Sequence, residues 1–285
     1  MTLAMAGFAV EDMFLKAAGA TLPVAQVMII FGAGGAIVFA LLARIAGEPI
    51  FPRDALGKTM LIRNGFEVIG RLFYTLAIVL TPLSSATAIL QATPIVVVAG
   101  AALVFKEDVG WRRWTAIIGG LVGVLIILRP GADSFTPLSL LAVLGLLGFA
   151  GRDLATRAAP PTLGTFALGV WGFSAIVVAG IAFAPIERGQ FLIPSQSVAV
   201  SLMAAIAFGV VGYAALTQAM RTGDVSAVTP FRYTRLVFGV ALGVLVFGET
   251  LDAPTVIGGL IVVASGLYIL ARGRRHQDGR SRLAR

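Results

Sequence analysis

Ten apolar runs of about 20 residues each constrain the fold of this chain more than any other feature of its sequence. A transmembrane α-helix needs about that many apolar residues to cross ~30 Å of hydrocarbon, and the runs lack the alternation of barrel strands. The sequence therefore predicts an all-α integral membrane protein with ten transmembrane helices. The runs cover about 2–20, 25–43, 61–80, 83–105, 114–128, 138–160, 162–184, 197–219, 225–247 and 254–271.

The composition narrows the chemistry that such a chain can perform. Hydrophobic residues make up 58% of the 285 residues and charged residues 13%, a balance that excludes a water-soluble globular domain. The chain has no cysteine, and its one histidine, His276, lies in the C-terminal tail. Thiolate and histidine metal sites, cysteine nucleophiles and histidine-based triads inside the membrane are thereby excluded. We expect no bound metal and no cofactor.

The distribution of positive charge predicts the orientation in the membrane. Of the 22 Lys and Arg residues, 15 lie outside the predicted spans, and 13 of these fall on the side that holds both termini. By the positive-inside rule, both termini are cytoplasmic. We expect the basic tail, residues 272–285, to contact anionic lipid and not nucleic acid. Residues 18–20 resemble a signal cleavage site, but the first run has no basic start and Glu11 and Asp12 interrupt it, which favours a transmembrane helix.

Two pairs of segments show that the halves of the chain are similar. GFAVEDMFLKAAGATLP at 7–23 matches GFAGRDLATRAAPPTLG at 148–164 at eight of 17 positions. Residues 74–107 match residues 216–249 at ten of 34 positions. The matches are collinear, which indicates an internal repeat.

The repeat has an odd number of spans, and this decides its orientation. Each half, 1–130 and 131–271, contains five predicted spans, so the second half enters the membrane from the opposite side. The sequence thus predicts a single membrane domain, 1–285, built from two inverted five-helix repeats. Inverted repeats are a usual basis of alternating access to a site near the membrane midplane.

Ten short spans in two halves, each half ending in an L-V-F-x-E and then a G-G-L pattern, resemble the EamA-type drug/metabolite transporter superfamily. The endings lie at Glu107 and Glu249, although Lys106 stands where the family pattern has the glycine that Gly248 provides. The resemblance covers nearly the whole chain. It implies a bacterial inner-membrane exporter of amino acids or other metabolites, aromatic amino acids among them, with a central cavity lined from both halves.

The third span carries Arg63, Glu67, Arg71 and Tyr74 on one helical face. A charge at membrane depth costs roughly 3 kcal/mol or more, so such residues usually face a water-filled cavity or a partner charge. Charges four residues apart also pair easily along one helix. Two interpretations stay open: a row that binds substrate, in which Glu67 is the candidate for proton coupling, or a self-neutralising structural network.

Prolines predict helix breaks at comparable places in the two halves, at Pro94 and Pro230. Broken helices in both halves point to a transport site, although proline also kinks membrane helices that have no substrate role. Gln91, one turn before Pro94, is a candidate substrate-binding residue.

Further candidate binding residues are cationic or aromatic. Arg232 and Arg235 can bind a substrate carboxylate or phosphate, and the alternative for them is contact with lipid phosphate. Tyr233, Tyr213 and Trp171 can stack against a flat substrate.

Charged residues recur at matching places in the two halves. They are Glu11, Asp12 and Lys16 in the first half, and Arg152, Asp153 and Arg157 in the second. In each half an acid and a base stand four residues apart and can pair along the helix. We expect these residues to form a bond between the halves or a gate that breaks and reforms. Glu11 and Arg152 have opposite signs and could pair across the halves.

Together these features predict a secondary transporter that exports small metabolites, with amino acids favoured, by alternating access. The chain has no G-x-x-x-x-G-K-[ST] motif for ATP and no H-E-x-x-H motif, which disfavours an ATP-driven pump and an intramembrane enzyme. A non-coupled channel and a lipid scramblase stay open as alternatives. The sequence leaves the oligomeric state open, and a monomer is compatible with it.

Overall fold

The computed structural model describes residues 1–50, 52–104, 106, 110–129, 136–157, 163–222 and 229–283, which form helices and connecting segments. The α-helices are α1 (Thr2–Gly19), α2 (Val24–Ala46), α3 (Lys58–Leu80), α4 (Leu83–Leu90), α5 (Thr93–Val104), α6 (Trp111–Leu128), α7 (Ser139–Arg157), α8 (Thr165–Glu187), α9 (Gln196–Thr222), α10 (Thr234–Phe247) and α11 (Ala253–Leu283). Short 3-10 helices, Arg53–Leu56 and Thr229–Tyr233, precede α3 and α10. The prediction of an all-α chain is confirmed for this part.

The fourth predicted span is broken between α4 and α5. Pro94 has no backbone N–H for the carbonyl of Leu90, and the Thr93 hydroxyl donates to that oxygen instead, at 2.6 Å. In the second half, the 3-10 helix Thr229–Tyr233 lies directly before α10. The break in the fourth span lies beside Pro94, which predicted it. Pro230 lies within the 3-10 helix, and the residues before that helix, 223–228, are outside the described part of the chain, so a break there stays a prediction.

Five of the helical units are long and apolar enough to cross a membrane. They are Val24–Ala46, Leu83–Val104, Ser139–Thr156, Thr165–Glu187 and Gln196–Ala219. In α1 and α3 the apolar sequence is interrupted by charged residues, and α10 has only 14 residues. The number of ten transmembrane helices therefore stays a prediction for the remaining units.

The helices of the two halves pack against each other in matching pairs. α2 packs along α8, and α6 packs along α11. α1 packs along α9, and α7 packs along α3. When each helix is replaced by its counterpart in the other half, the pairs α2–α8 and α6–α11 are unchanged. The same replacement converts the pair α1–α9 into the pair α7–α3.

Glycines set the close approach in the two equivalent pairs. A Cβ on Gly7 of α1 would lie 3.1 Å from the Gly212 Cα of α9. A Cβ on Gly148 of α7 would collide with the backbone of Gly70 of α3. Gly7 aligns with Gly148 in the sequence repeat, so the same small residue permits backbone contact in both halves.

Carboxylates from one half cap helices of the other half. Glu187 accepts hydrogen bonds from the backbone N–H groups of Val24 and Ala25, at 2.7 and 2.8 Å, and Glu48 accepts from those of Phe166 and Ala167, at 3.0 and 3.3 Å. The N-cap residues of these helices provide no side-chain cap. An acid at a helix N-terminus satisfies free N–H groups and complements the helix dipole. These caps therefore tie the halves together.

Candidate functional site

A cavity lies where α1, α3, α7, α9 and α10 meet the break between α4 and α5. Its empty space is about 640 Å³, counting the part open to solvent. The cavity is lined by Met5, Phe8, Arg71, Leu90, Gln91, Thr93, Pro94, Phe149, Arg152, Tyr213, Leu216, Arg232 and Arg235. Both halves contribute to this lining.

On the α1 side, two carboxylates hold two of the cavity arginines. Glu11 Oε1 lies 2.8 Å from Arg71 Nη1, and Asp12 Oδ2 lies 2.6 Å from Arg235 Nη2. The Tyr74 hydroxyl donates to the same Asp12 oxygen at 3.1 Å. Both acids are buried, a setting in which a charge needs a partner. α1 therefore fixes the direction of one arginine from α3 and one from α10.

On the α7 side, Arg152 and Asp153 pair with each other. Arg152 Nη2 and Nε lie 2.8 and 3.0 Å from Asp153 Oδ1. The other oxygen, Oδ2, lies 3.3 Å from Arg232 Nη2. Arg152 Nη1 also lies 3.3 Å from both oxygens of Glu67. This side is less buried, since the Asp153 side chain is 21% exposed.

Matching positions of α1 and α7 contact the same neighbours. Glu11 and Arg152 both bind α3, the first through Arg71 and the second through Glu67. The aspartates that follow them both bind arginines of the ninth predicted span. The two residues have opposite charges, and each binds a residue of opposite charge on α3. The sequence had left open a direct pair between Glu11 and Arg152, and the structure places other partners beside both.

Glu67 connects the two sides. Its oxygens lie 3.3 Å from Arg152, 3.5 Å from Arg71 and 3.7 Å from Arg63. Arg63 also donates to the Tyr213 hydroxyl at 3.0 Å. Glu67 and Arg63 are buried behind the cavity lining, whereas Arg71 belongs to it. For Arg63 and Glu67, these contacts favour the interpretation of a self-neutralising structural network. Arg71 takes part in that network and also lines the cavity, so both interpretations apply to it.

The aromatic candidates separate into two groups. Tyr213 lines the cavity. Tyr74 lies behind the lining, where its ring contacts the Arg235 guanidinium at 5.4 Å. Tyr233 packs against Gly266 of α11, and Trp171 of α8 is half-buried beside the apolar core. The cavity lining therefore brings one of the four predicted aromatic residues together with the arginines.

Two phenylalanines that we did not predict form walls of the cavity. The Arg235 guanidinium lies 5.1 Å from the Phe8 ring centroid, and those of Arg152 and Arg71 lie 4.9 and 5.7 Å from the Phe149 ring centroid. Such cation–π contacts hold the guanidinium planes against the rings. Phe8 and Phe149 are identical, aligned residues of the repeat, and that identity is the signal that would have found them.

Lys16 does not bind Asp12 as its helical spacing predicted. Its Nζ donates to the carbonyls of Ile78 and Thr81, at 2.9 and 2.6 Å, and lies 3.7 Å from Glu249 Oε1. Three partners from other helices outweigh a local pair, which contributes about 0.2–0.5 kcal/mol. The pairing prediction was therefore wrong for this residue, while its contact with Glu249 does join the two halves.

Glu249 is a further residue whose role the sequence reasoning missed. It accepts hydrogen bonds from the N–H groups of Leu83 and Ser84, at 2.6 and 3.0 Å, and caps α4. The repeated L-V-F-x-E ending contained the signal, since the acid stands at the end of α10. Its repeat counterpart, Glu107, and the side chains of Arg157 and Pro230 lie outside the described residues.

Asp252, which stands before α11, belongs to an ion pair away from the cavity. Its carboxylate contacts Arg129 and accepts a hydrogen bond from the Thr255 N–H at 2.9 Å. Partial burial would raise the pKa of Asp252, but these hydrogen bonds outweigh it and lower that pKa below its ordinary value. Among the described side chains, no group of three or more His, Cys, Asp or Glu residues could hold a metal ion.

The fold and the cavity are those of a membrane transport protein with two similar halves. The profile of the EamA-like transporter family matches residues 1–129 and 137–271. The chain therefore belongs to this family of multi-pass membrane transporters, and it is not an enzyme. The resemblance seen in the sequence is confirmed.

Relatives with named substrates are similar over most of their length. The chain is 29% identical to the pseudopaline exporter CntI of Pseudomonas aeruginosa, over 92% of each chain. It is 26% identical to an S-adenosylmethionine uptake transporter of Rickettsia conorii, over 76% of this chain and 75% of the relative. It is 27% identical to a riboflavin transporter of Rhizobium johnstonii, over 80% and 73% of the two chains.

A protein of known crystal structure shares the fold. The two structures superpose with a TM-score of 0.64 at 16% sequence identity, over 96% of this chain and 99% of the other.

Proposed function

We propose that this protein is a secondary transporter that exports a small metabolite with a carboxylate and an apolar or aromatic part, with amino acids favoured. The observation that carries this proposal is the cavity in which Arg71, Arg152, Arg232 and Arg235 meet the rings of Phe8 and Phe149. Guanidinium groups bind carboxylates through paired hydrogen bonds, and phenyl rings accept an apolar group. Relatives that transport S-adenosylmethionine, pseudopaline or riboflavin support a small organic substrate.

The transport cycle is alternating access by two inverted repeats around this cavity. The matching helix pairs and the aligned glycine contacts support an exchange of equivalent interfaces between two states. The break at Pro94 and the 3-10 helix Thr229–Tyr233 lie beside the cavity and support a site between the halves. The excess of Lys and Arg on the side of the predicted spans that holds both termini supports cytoplasmic termini in the inner membrane of a bacterium.

Counterflow in proteoliposomes tests this function. Vesicles preloaded with unlabelled L-phenylalanine should take up labelled L-phenylalanine in a saturable manner, and excess external substrate should compete. Arg235→Ala should weaken that competition at least tenfold, because it removes a guanidinium that lines the cavity. Arg44→Ala, which changes an exposed arginine at the end of α2, serves as the control and should behave as the unmodified protein. Non-saturating flux of unrelated solutes would indicate a channel, and flipping of labelled lipid would indicate a scramblase.

A further inference from the structure

The charged cluster around the cavity contains more cations than anions. Among the described side chains it consists of Arg63, Arg71, Arg152, Arg232 and Arg235, and of Glu11, Asp12, Glu67 and Asp153. Each carboxylate lies within 3.7 Å of at least one guanidinium. Five guanidinium groups and four carboxylates give the empty cluster a formal charge of +1.

Of the four arginines that line the cavity, Arg232 has the weakest ion pair, so we assign the surplus charge to it. The other three each have a carboxylate within 2.8 Å: Glu11 for Arg71, Asp12 for Arg235 and Asp153 for Arg152. Arg63 lies behind the lining, where it faces Glu67 at 3.7 Å and donates to the Tyr213 hydroxyl. Among the described side chains, Arg232 reaches one carboxylate oxygen, that of Asp153 at 3.3 Å, and Arg152 already holds that aspartate through two shorter bonds.

Exposure agrees with this assignment. The Arg232 side chain is 20% exposed, compared with 13% or less for the other four arginines of the cluster. It lines the cavity beside Gln91, whose amide donates to its backbone carbonyl at 3.1 Å. The least neutralised cation of the cavity lining is therefore the one most accessible to a ligand.

We propose that Arg232 binds the carboxylate of a substrate that crosses the membrane as a net monoanion, so that each export cycle moves one negative charge outward. This inference rests on the proposed function and specifies its substrate class and its driving force. A bound monoanion brings the cluster to zero net charge, which lowers the cost of moving it through hydrocarbon. A zwitterion leaves the charge at +1.

The membrane potential then supplies the energy, and no coupled ion is needed. An inside-negative potential expels an anion, and 100 mV supports a concentration ratio of about 50-fold for one charge. Symport of one proton with the monoanion would be electrically neutral and would remove this ratio. The electrical response therefore distinguishes the two modes.

The experiment uses the full chain in proteoliposomes with two labelled probes, 3-phenylpropionate as the monoanion and L-phenylalanine as the zwitterion. Valinomycin with a potassium gradient sets the interior at about +100 mV, where a monoanion should accumulate about 50-fold. We expect that accumulation for 3-phenylpropionate and no electrical accumulation of L-phenylalanine.

Two results would overturn the inference and leave the proposed function standing. They are saturable flux of 3-phenylpropionate without a response to potential, and transport of L-phenylalanine alone. Absence of saturable flux for both probes would overturn the proposed function as well.

Variants of Arg232 separate its charge from its geometry. Arg232→Gln should weaken the apparent affinity for 3-phenylpropionate at least tenfold, whereas Arg232→Lys should lose affinity but keep the response to potential. Arg44→Gln is the matched control at an exposed position.

Asp153→Asn provides a second variant in case Arg232→Gln does not fold. It raises the formal charge of the cluster and frees Arg232, so binding of 3-phenylpropionate should become severalfold tighter. Unchanged or weaker binding by this variant would contradict the assignment of the surplus charge.

Discussion

The aligned turns of α1 and α7 share a phenylalanine and an aspartate, but their ion pairs differ in burial and in partner. Both contain a phenylalanine under a guanidinium and an aspartate that binds an arginine of the ninth predicted span. On α1 the acids are buried and each faces a different arginine. On α7 the basic and acidic residues bind each other, and Arg232 is left with a longer contact. One change of sign, from Glu11 to Arg152, thus replaces a contact in which each arginine has its own carboxylate by one in which two arginines share Asp153.

Glu67 joins the two regions, so its neutralisation should have the largest effect. Glu67→Gln leaves three arginines around a buried uncharged side chain, and we expect a loss of about 3–5 kcal/mol in the free energy of unfolding. Denaturant unfolding in detergent measures it. Glu48→Gln, which weakens a partly buried helix cap, is the control and should cost about 1 kcal/mol. Equal losses for both variants would contradict the role of Glu67.

The two aspartates should differ in the same assay. Asp12→Asn leaves the buried Arg235 without its carboxylate, and we expect a loss of about 3 kcal/mol. Asp153→Asn should cost about 1 kcal/mol, because Arg152 keeps Glu67 and the site is partly exposed to solvent. A larger loss at Asp153 would reverse the contrast between the two regions.

The two phenylalanines should differ by the number of cations that they hold. Phe149→Leu removes two guanidinium contacts and should cost about 2 kcal/mol, whereas Phe8→Leu removes one and should cost about 1 kcal/mol. Leucine keeps an apolar side chain at each site and so limits the contribution of packing. Thermal unfolding of both variants, side by side, tests the ratio, and equal shifts would show that the rings act through packing alone.

The smallest effect is expected outside both regions, at Arg129 and Asp252. Arg129→Ala should lower the free energy of unfolding by less than about 1 kcal/mol, because the pair is exposed. Since the folded-state pKa of Asp252 is lowered, its contribution is present at neutral pH and is lost as the pH falls through that pKa. Unfolding measured at neutral and acidic pH provides the check, and a loss above 2 kcal/mol would contradict the exposed setting.

The sequence predicted much of the fold because its signals are local or periodic. Apolar runs predicted the helices, and Pro94 predicted the interruption at which the Thr93 hydroxyl donates to the free carbonyl of Leu90. The repeat indicated which residues would have equivalent surroundings, as Gly7 and Gly148 demonstrate. The ion-pair partners were harder to predict, since Asp12 binds a residue 223 positions away and Lys16 prefers carbonyls of another helix to its own neighbour.

The sequence by itself determined the helical membrane architecture, the family, the duplication and the set of charged residues near the site. These properties follow from composition, from spacing along single helices and from the comparison of the halves. The tertiary structure decided which charges neutralise one another, because packing brings residues from different helices within 4 Å while helical spacing offers several competing pairs. That choice leaves Arg232 as the least neutralised cation of the cavity. The sequence shows that Arg232 is present, but not where its side chain lies relative to the carboxylates.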